Sequence, residues 1–171
     1  MKLPPYHTYP TIPGDRILLR QVLPSDIKDI VEISFYDSIK ATTVDEAAAM
    51  QEKIDQDVRD GNSIHWGIAN KATNKLMGTC GFYRGFDKGA GELGCVLLPQ
   101  FRGQGFMTDA MQLTIDFGLN NIGLKRIRAI TTKENHNAIK LLHRLHFIKV
   151  ADLENNEIEY ELSNASTFTQ A

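Results

Sequence analysis

From Glu92 to Thr132 the chain runs through an apolar stretch, a corner with two glycines, a stretch of helical spacing and a second apolar stretch. "ELGCVLLP" is short, rich in leucine and valine, and bounded by turn residues, as a strand is. Ala110, Leu113, Thr114 and Phe117 then recur at the spacing of one helix face, and "NNIG" ends that helix. "LKRIRAITT" reads as the next strand. A strand–helix–strand unit, Leu93 to Thr132, sets its two strands parallel through a right-handed crossover. The rest of the chain must be arranged around that pair.

Before it, "RILLRQV" (Arg16–Val22) reads as a first strand. "PSDIKDIVEISF" follows as a helix with Ser25 at its N-cap and Ile27, Ile30, Val31 and Ser34 along one face. Thr43 and Glu46 form a capping-box pattern for a second helix, buried through Ala47, Met50, Ile54 and Val58 and stopped by Gly61. "SIHWGIAN" and "KLMGTCGFYRG" are strands split by the turn "KATN", and "DKGAG" turns the chain into "ELGCVLLP". A turn centred near Asp87–Lys88 sets Cys80 opposite Cys95, both read as packed thiols. After the unit, "NHNAIKLLHRLHF" is a helix. Ile158, Tyr160 and Leu162 alternate with Glu157, Glu159 and Glu161, so this last strand shows one face to water. "ENN" turns it back on Phe147–Leu153. The predicted order is β-α-α-β-β-β-α-β-α-β-β. It makes one domain over residues 1–171 of α/β (α+β) class, with a mixed, mostly antiparallel sheet. Residues 1–14, with four prolines, lie extended over the surface, and 163–171 form a frayed tail.

Composition closes several functional classes. A net charge of −2 over 171 residues gives no footprint for nucleic acid. No apolar run is long enough to cross a bilayer, so no membrane partner is expected. The first ten residues hold no signal-type apolar core. Two cysteines at this spacing suggest neither a disulfide framework nor a zinc site. The expectation is a cytoplasmic protein with no metal.

The corner "PQFRGQGFMTDAM" carries chemistry. Gly103 and Gly105 let backbone amides approach a ligand, and the first amides of a helix have no internal partners. The macrodipole adds partial positive charge there, and Arg102 adds a charged donor. A Walker loop is absent. The dinucleotide fingerprint fails because Thr108 stands where a third glycine belongs and no acid follows at the required distance. A diphosphate cradle of another type, or a plain tight corner, remains.

"QFRGQG" fits the pattern Q/R-x-x-G-x-G/A, and "ENHNAIKLLHRLHF" follows about thirty residues on. With these motifs the chain resembles the GNAT superfamily of acetyl-CoA-dependent N-acetyltransferases, over Arg16 to Leu162. Within it, the chain looks most like the Rim-type N-terminal acetyltransferases of ribosomal proteins. The resemblance implies a GNAT fold with a central strand–helix–strand unit and helices on both faces. It implies that the pyrophosphate of coenzyme A rests on Arg102, Gly103, Gln104, Gly105, Phe106, Met107 and Thr108. It implies that pantetheine pairs with the backbone of Cys95, Val96 and Leu97, where Pro99 stops the strand from pairing further. Asn135 matches an asparagine that bonds the cofactor near its pantetheine arm; on its own it reads as a helix cap.

The chain departs from that pattern at three places. Leu142 stands where many members have a tyrosine acid, Ala138 where Rim-like relatives have a serine, and His146 in place of glycine before Phe147. A thiol of pKa near ~8.5 leaves without much help. Glu92, at the start of the central strand, matches a catalytic glutamate and is the candidate general base, directly or through water; by itself it also reads as a solvated strand-end carboxylate. His65 is a weaker candidate. His136, His143 and His146 read as surface residues. The implied acceptor pocket lies between the first two helices and the last hairpin, lined by "SFYDSIKAT", "FYRGFDKG" and "DLENNE", with Tyr36, Phe82 and Tyr83 as candidate walls.

An α-amine of pKa about 7.7–8.0 is already neutral in roughly a tenth of molecules at pH 7; a lysine amine near ~10.4 is not. Weak acid–base equipment therefore favours a protein N-terminal α-amine as acceptor. A small amine (polyamine or aminoglycoside) and a non-catalytic acyl-CoA-binding module stand as the alternatives. A homodimer stays open.

Overall fold

The computed structural model describes residues 1–163; the tail expected at 163–171 lies, from residue 164 on, outside them. In chain order the elements are β1 (Ile12–Pro13), β2 (Ile17–Arg20), β3 (Phe35–Tyr36), β4 (Ile39–Lys40), α1 (Val44–Arg59), β5 (Ile64–Asn70) and β6 (Leu76–Tyr83). They continue with β7 (Ala90–Leu97), α2 (Phe106–Phe117), β8 (Arg126–Thr132), α3 (His136–Arg144), β9 (Phe147–Asp152) and β10 (Glu157–Leu162). One eight-stranded sheet runs β1-β2-β5-β6-β7-β8-β10-β9, and β3 and β4 pair separately. Among the described residues only β7 and β8 pair parallel, as the strand–helix–strand unit requires. Cys80 is paired with Cys95 across β6 and β7, and both thiols are free. Burial pushes the Cys80 thiol up to about 12, which makes it an inert packing group beside Thr114.

The first predicted helix is not α-helical. Pro24–Asp29 and Val31–Ile33 form two 3-10 turns. The buried side chains there are Ile27, Ile30 and Ile33, a spacing of three that fits three residues per turn better than 3.6. Leu23, not Ser25, precedes the first turn, and Asp26 accepts bonds from the Leu23 amide at 2.8 Å and from the Arg20 guanidinium at 2.8 and 3.1 Å. That grip ties the segment to β2. The hairpin β3–β4 turns through Asp37 (φ 48°) and Ser38 (φ 64°), both left-handed as tight hairpins need.

Helix α1 starts where the capping pattern places it. Thr43 accepts from the Glu46 amide at 3.2 Å, while the Glu46 carboxylate reaches Thr42 rather than Thr43.

Strand alternation assigns the core to two faces. Ile64, Trp66, Cys80, Phe82, Leu93 and Leu97 pack with the buried side of α2, and Leu142 of α3 belongs to the same cluster. Val22, Ile27, Ile30, Ile33, Ala47 and Ala69 form the second cluster, beneath α1 and the 3-10 turns. The N-terminal segment is anchored rather than merely laid over the surface. Tyr6 and Tyr9 pack on the first cluster, the Tyr9 hydroxyl donates to the His65 carbonyl, and Pro10 accepts from the Trp66 indole at 2.8 Å. His146 has φ 64°, the left-handed conformation that glycine adopts without strain, which accounts for the glycine seen there in the resembling family.

Candidate active site

Strand β7 pairs with β6 over its length, from Tyr83↔Glu92 to Gly78↔Leu97. Its pairing with β8 covers only Ala90↔Arg126, Gly91↔Ile127 and Glu92↔Arg128. Beyond Glu92 the two strands part: β7 stays with β6, while β8 stays with β10 out to Thr132. Residues 93–97 therefore have a strand neighbour on one side only. Cys95, Val96 and Leu97 run along that edge, but the ladder turns the Val96 backbone toward Thr79 of β6 and Arg102 takes the Leu97 carbonyl, so Cys95 and the Leu97 amide are the groups an extended ligand can pair with as an added strand. Glu92 is the last rung before the fork.

The corner closes the open edge at its far end. Leu98 donates to the Met77 carbonyl at 2.8 Å, and Pro99–Phe101 make one 3-10 turn. Gly103 (φ 73°) and Gly105 (φ 85°) are both left-handed, which explains why the corner uses two glycines. A Cβ on Gly103 would meet nothing within 4 Å, so open space lies beside it. The first intrahelical bond of α2 runs from Asp109 to the Gly105 carbonyl at 3.1 Å, leaving the amides of Phe106, Met107 and Thr108 without helix partners. Arg102 is tied back: its Nε donates to the Leu97 carbonyl at 3.1 Å, fixing the end of β7. Asn135, at the end of β8, caps α3 by accepting from the Ala138 amide at 3.1 Å. The residues expected to hold the cofactor are thus brought together around one fork.

Arg16 joins this corner, and nothing in the local pattern pointed to it. It stands just before β2, 88 residues from Gln104, whose carbonyl accepts from its Nη1 at 3.0 Å. Its Nε and Nη2 reach Asp109 at 3.0 and 2.7 Å, and its guanidinium lies 4.7 Å from the Phe106 ring centre.

A cavity of about 630 Å³ lies on the other face of β5, β6 and β7, under α1 and the β3–β4 hairpin. Its floor includes Ser63, His65, Thr79, Tyr83, Glu92 and Val96; Tyr36 and Asp57 stand on its wall, joined by a 3.1 Å hydrogen bond. Across the strands, His65 faces Gly81 and Gly81 faces Gly94. A Cβ on Gly94 would come within 2.7 Å of the Tyr83 ring, so that ring lies over the glycine; its centre is 5.7 Å from that of His65.

Three buried side-chain atoms lack a hydrogen-bond partner among the described residues: Ser63 Oγ, His65 Nδ1 and Glu92 Oε2. All three belong to residues lining this cavity. A cavity lined by such atoms is polar enough to take water or a polar ligand that completes their hydrogen bonds. Glu92 is no solvated strand end. It is 9% exposed, with Oε1 3.0 Å from Arg84 and Oε2 3.3 Å from Arg128. Burial pushes its carboxyl above the usual range, while the two guanidinium groups pull it back. Burial lowers the His65 imidazole to about 4, so it is neutral at physiological pH. Burial likewise holds the Tyr83 phenol well above its ordinary range.

Two expectations about the pocket are corrected. Phe82 does not wall it: its side chain is fully buried, alternates to the α2 face and packs near Phe86. "DLENNE" contributes nothing to the lining, because β9 and β10 lie beyond β8 in the sheet order. Tyr36 and Tyr83 do line it. His136, His143 and His146 are exposed, and Leu142 is core.

Residues 16–148, a span that includes the fork and the two-glycine corner, match the acetyltransferase (GNAT) domain model. The chain belongs to the GNAT acetyltransferases. Enzymes of this family take their acetyl group from acetyl-CoA. The chain is 26% identical over 149 residues to the uncharacterized N-acetyltransferase YoaA of Bacillus subtilis, covering 82% of this chain and 84% of that one. A solved ribosomal-protein-S5-alanine acetyltransferase from Vibrio fischeri shares the fold with a TM-score of 0.72 at 19% identity, over 91% of this GNAT chain and 97% of that one. A dodecameric spermidine N-acetyltransferase from Vibrio cholerae shares it with a TM-score of 0.71 at 15% identity, over 90% and 97%. No helix among the described residues is long and apolar enough to cross a membrane.

Proposed function

We propose that this GNAT enzyme transfers acetyl from acetyl-CoA to the α-amine at a protein N-terminus. The observation that carries the reading is the meeting of three features at Glu92: the last rung before the fork, the floor of the cavity, and a buried carboxylate whose Oε2 is ion-paired with Arg128 but makes no hydrogen bond. The corner fits a diphosphate, with open space beside Gly103 and free amides at the start of α2. Amides of residues 103–108 hold the diphosphate, and the open edge at Cys95–Leu97 holds the pantetheine arm. Acetyl-CoA supplies the thioester carbon that the amine attacks. The acceptor amine enters from the cavity. Glu92 takes its proton, through water, as the N–C bond forms and the C–S bond breaks; the sulfur leaves as thiolate.

The cavity's bases are weak. His65 is held near 4, and Glu92 is a carboxylate that burial raises while two arginines pull it back. Such a site suits an acceptor already partly neutral at pH 7, which an α-amine is and a lysine amine is not.

One observation favours a second reading. Asp37, Asp57, Asp87 and Glu92 line the cavity against a single guanidinium, Arg84, a balance that suits a small polycationic amine. Steady-state thiol release with a panel of acceptors separates the two. N-terminal peptides of ribosomal proteins are expected to give kcat/KM at least ~10-fold above polyamines and aminoglycosides. Turnover with a polyamine and none with the peptides overturns the α-amine reading.

A further inference from the structure

A helix that cradles a diphosphate gains nothing from an acid in its first turn, yet α2 carries Asp109 there. Against the macrodipole alone, an acid at this end is favourable; against a bound dianion it repels. Arg16 answers that acid. Two of its nitrogens converge on Asp109 Oδ2, at 3.0 and 2.7 Å. Its third contact, 3.0 Å to the Gln104 carbonyl, acts on the corner itself. In a trans peptide the C=O and the following N–H point in opposite directions. Holding the Gln104 carbonyl toward Arg16 therefore turns the Gly105 amide away from it. The approach depends on glycine, because a Cβ on Gly105 would lie 3.0 Å from Arg16 Nη2.

We infer that Arg16 is an electrostatic positioning residue for the diphosphate of the donor: it cancels the charge of Asp109 and orients the Gln104–Gly105 peptide. The inference rests on the reading of the corner as the coenzyme A cradle. It also explains an ion pair of little value to folding. Arg16 and Asp109 side chains are 49% and 37% exposed, and pairs so exposed contribute little to stability.

Calorimetric titration of acetyl-CoA into wild type, Arg16→Ala and Arg16→Ala/Asp109→Asn tests it. Arg16→Ala is expected to weaken binding ~10-fold with a melting temperature within about 2 °C of wild type. Adding Asp109→Asn is expected to recover at least half of that loss on a logarithmic scale. Arg16→Ala binding within twofold of wild type overturns the inference, as does a double variant no tighter than the single one. Wild type that fails to bind acetyl-CoA strikes the cradle reading instead, and is distinguished by that control.

Discussion

Gly103→Glu is expected to abolish acetyl-CoA binding while leaving the fold intact. Gly103 is left-handed, at φ 73°, and a Cβ there would meet no atom within 4 Å. The new side chain thus enters open space beside the free amides of α2 and displaces nothing in the core. It sets a carboxylate where the diphosphate is proposed to rest. Affinity is expected to fall at least ~100-fold, since like charges at close range in a partly desolvated corner repel strongly. Gly103→Ala isolates the backbone cost, roughly 1–2 kcal/mol for an L-residue held left-handed. Calorimetry with a thermal melt reads both variants. A Gly103→Glu protein that binds within a few-fold of Gly103→Ala removes the corner from the account.

Glu92→Gln is expected to lower kcat by about 100-fold if Glu92 is the proposed general base, the usual weight of such a group. The amide keeps the shape and removes the charge. Two arginines now lose a partner, so the melt is needed beside the kinetics; Arg128 retains Glu159 at 3.7 Å. The pH profile separates proton transfer from clamping. Burial raises the Glu92 carboxyl, so the active carboxylate form is lost as pH falls through a value above the ordinary glutamate range. In wild type kcat declines on that acid side. In Glu92→Gln that limb disappears. An unchanged kcat with an unchanged acid limb assigns Glu92 to holding Arg84 and Arg128 alone.

Local chemistry made much of this legible. The strand–helix–strand unit follows from apolar runs and helical spacing, and the parallel β7–β8 pair is there. Thr43 caps α1 because the cap is a contact within one turn. The two glycines marked a corner where backbone amides can approach a ligand, and the structure adds that both are left-handed. What stayed hidden depended on distance or on register. The 3-10 turns at Pro24–Ile33 were hidden because Ile27, Ile30 and Ile33 satisfy a helical template nearly as well as a spacing of three. Phe82 sits on the dry face although the sequence suggests a wall, because a strand's two faces differ by one residue and aromatic character does not tell which face is wet. Arg16 meets Gln104 and Asp109 only after the sheet and α2 have formed. Ser63 and His65 stand two apart at the start of β5, but Glu92 joins them only when β7 pairs into the sheet, so no local spacing marks the three as a group.

The proposed reaction moves acetyl from acetyl-CoA to an α-amine. A peptide with a free N-terminus and an internal lysine puts both amines before the enzyme at once. After incubation with acetyl-CoA, fragmentation mass spectrometry locates the acetyl group. The account predicts a single acetyl group on the N-terminal residue, formed only when enzyme is present. Acetyl on the lysine side chain, or an unmodified peptide while a polyamine in the same mixture is acetylated, would contradict it.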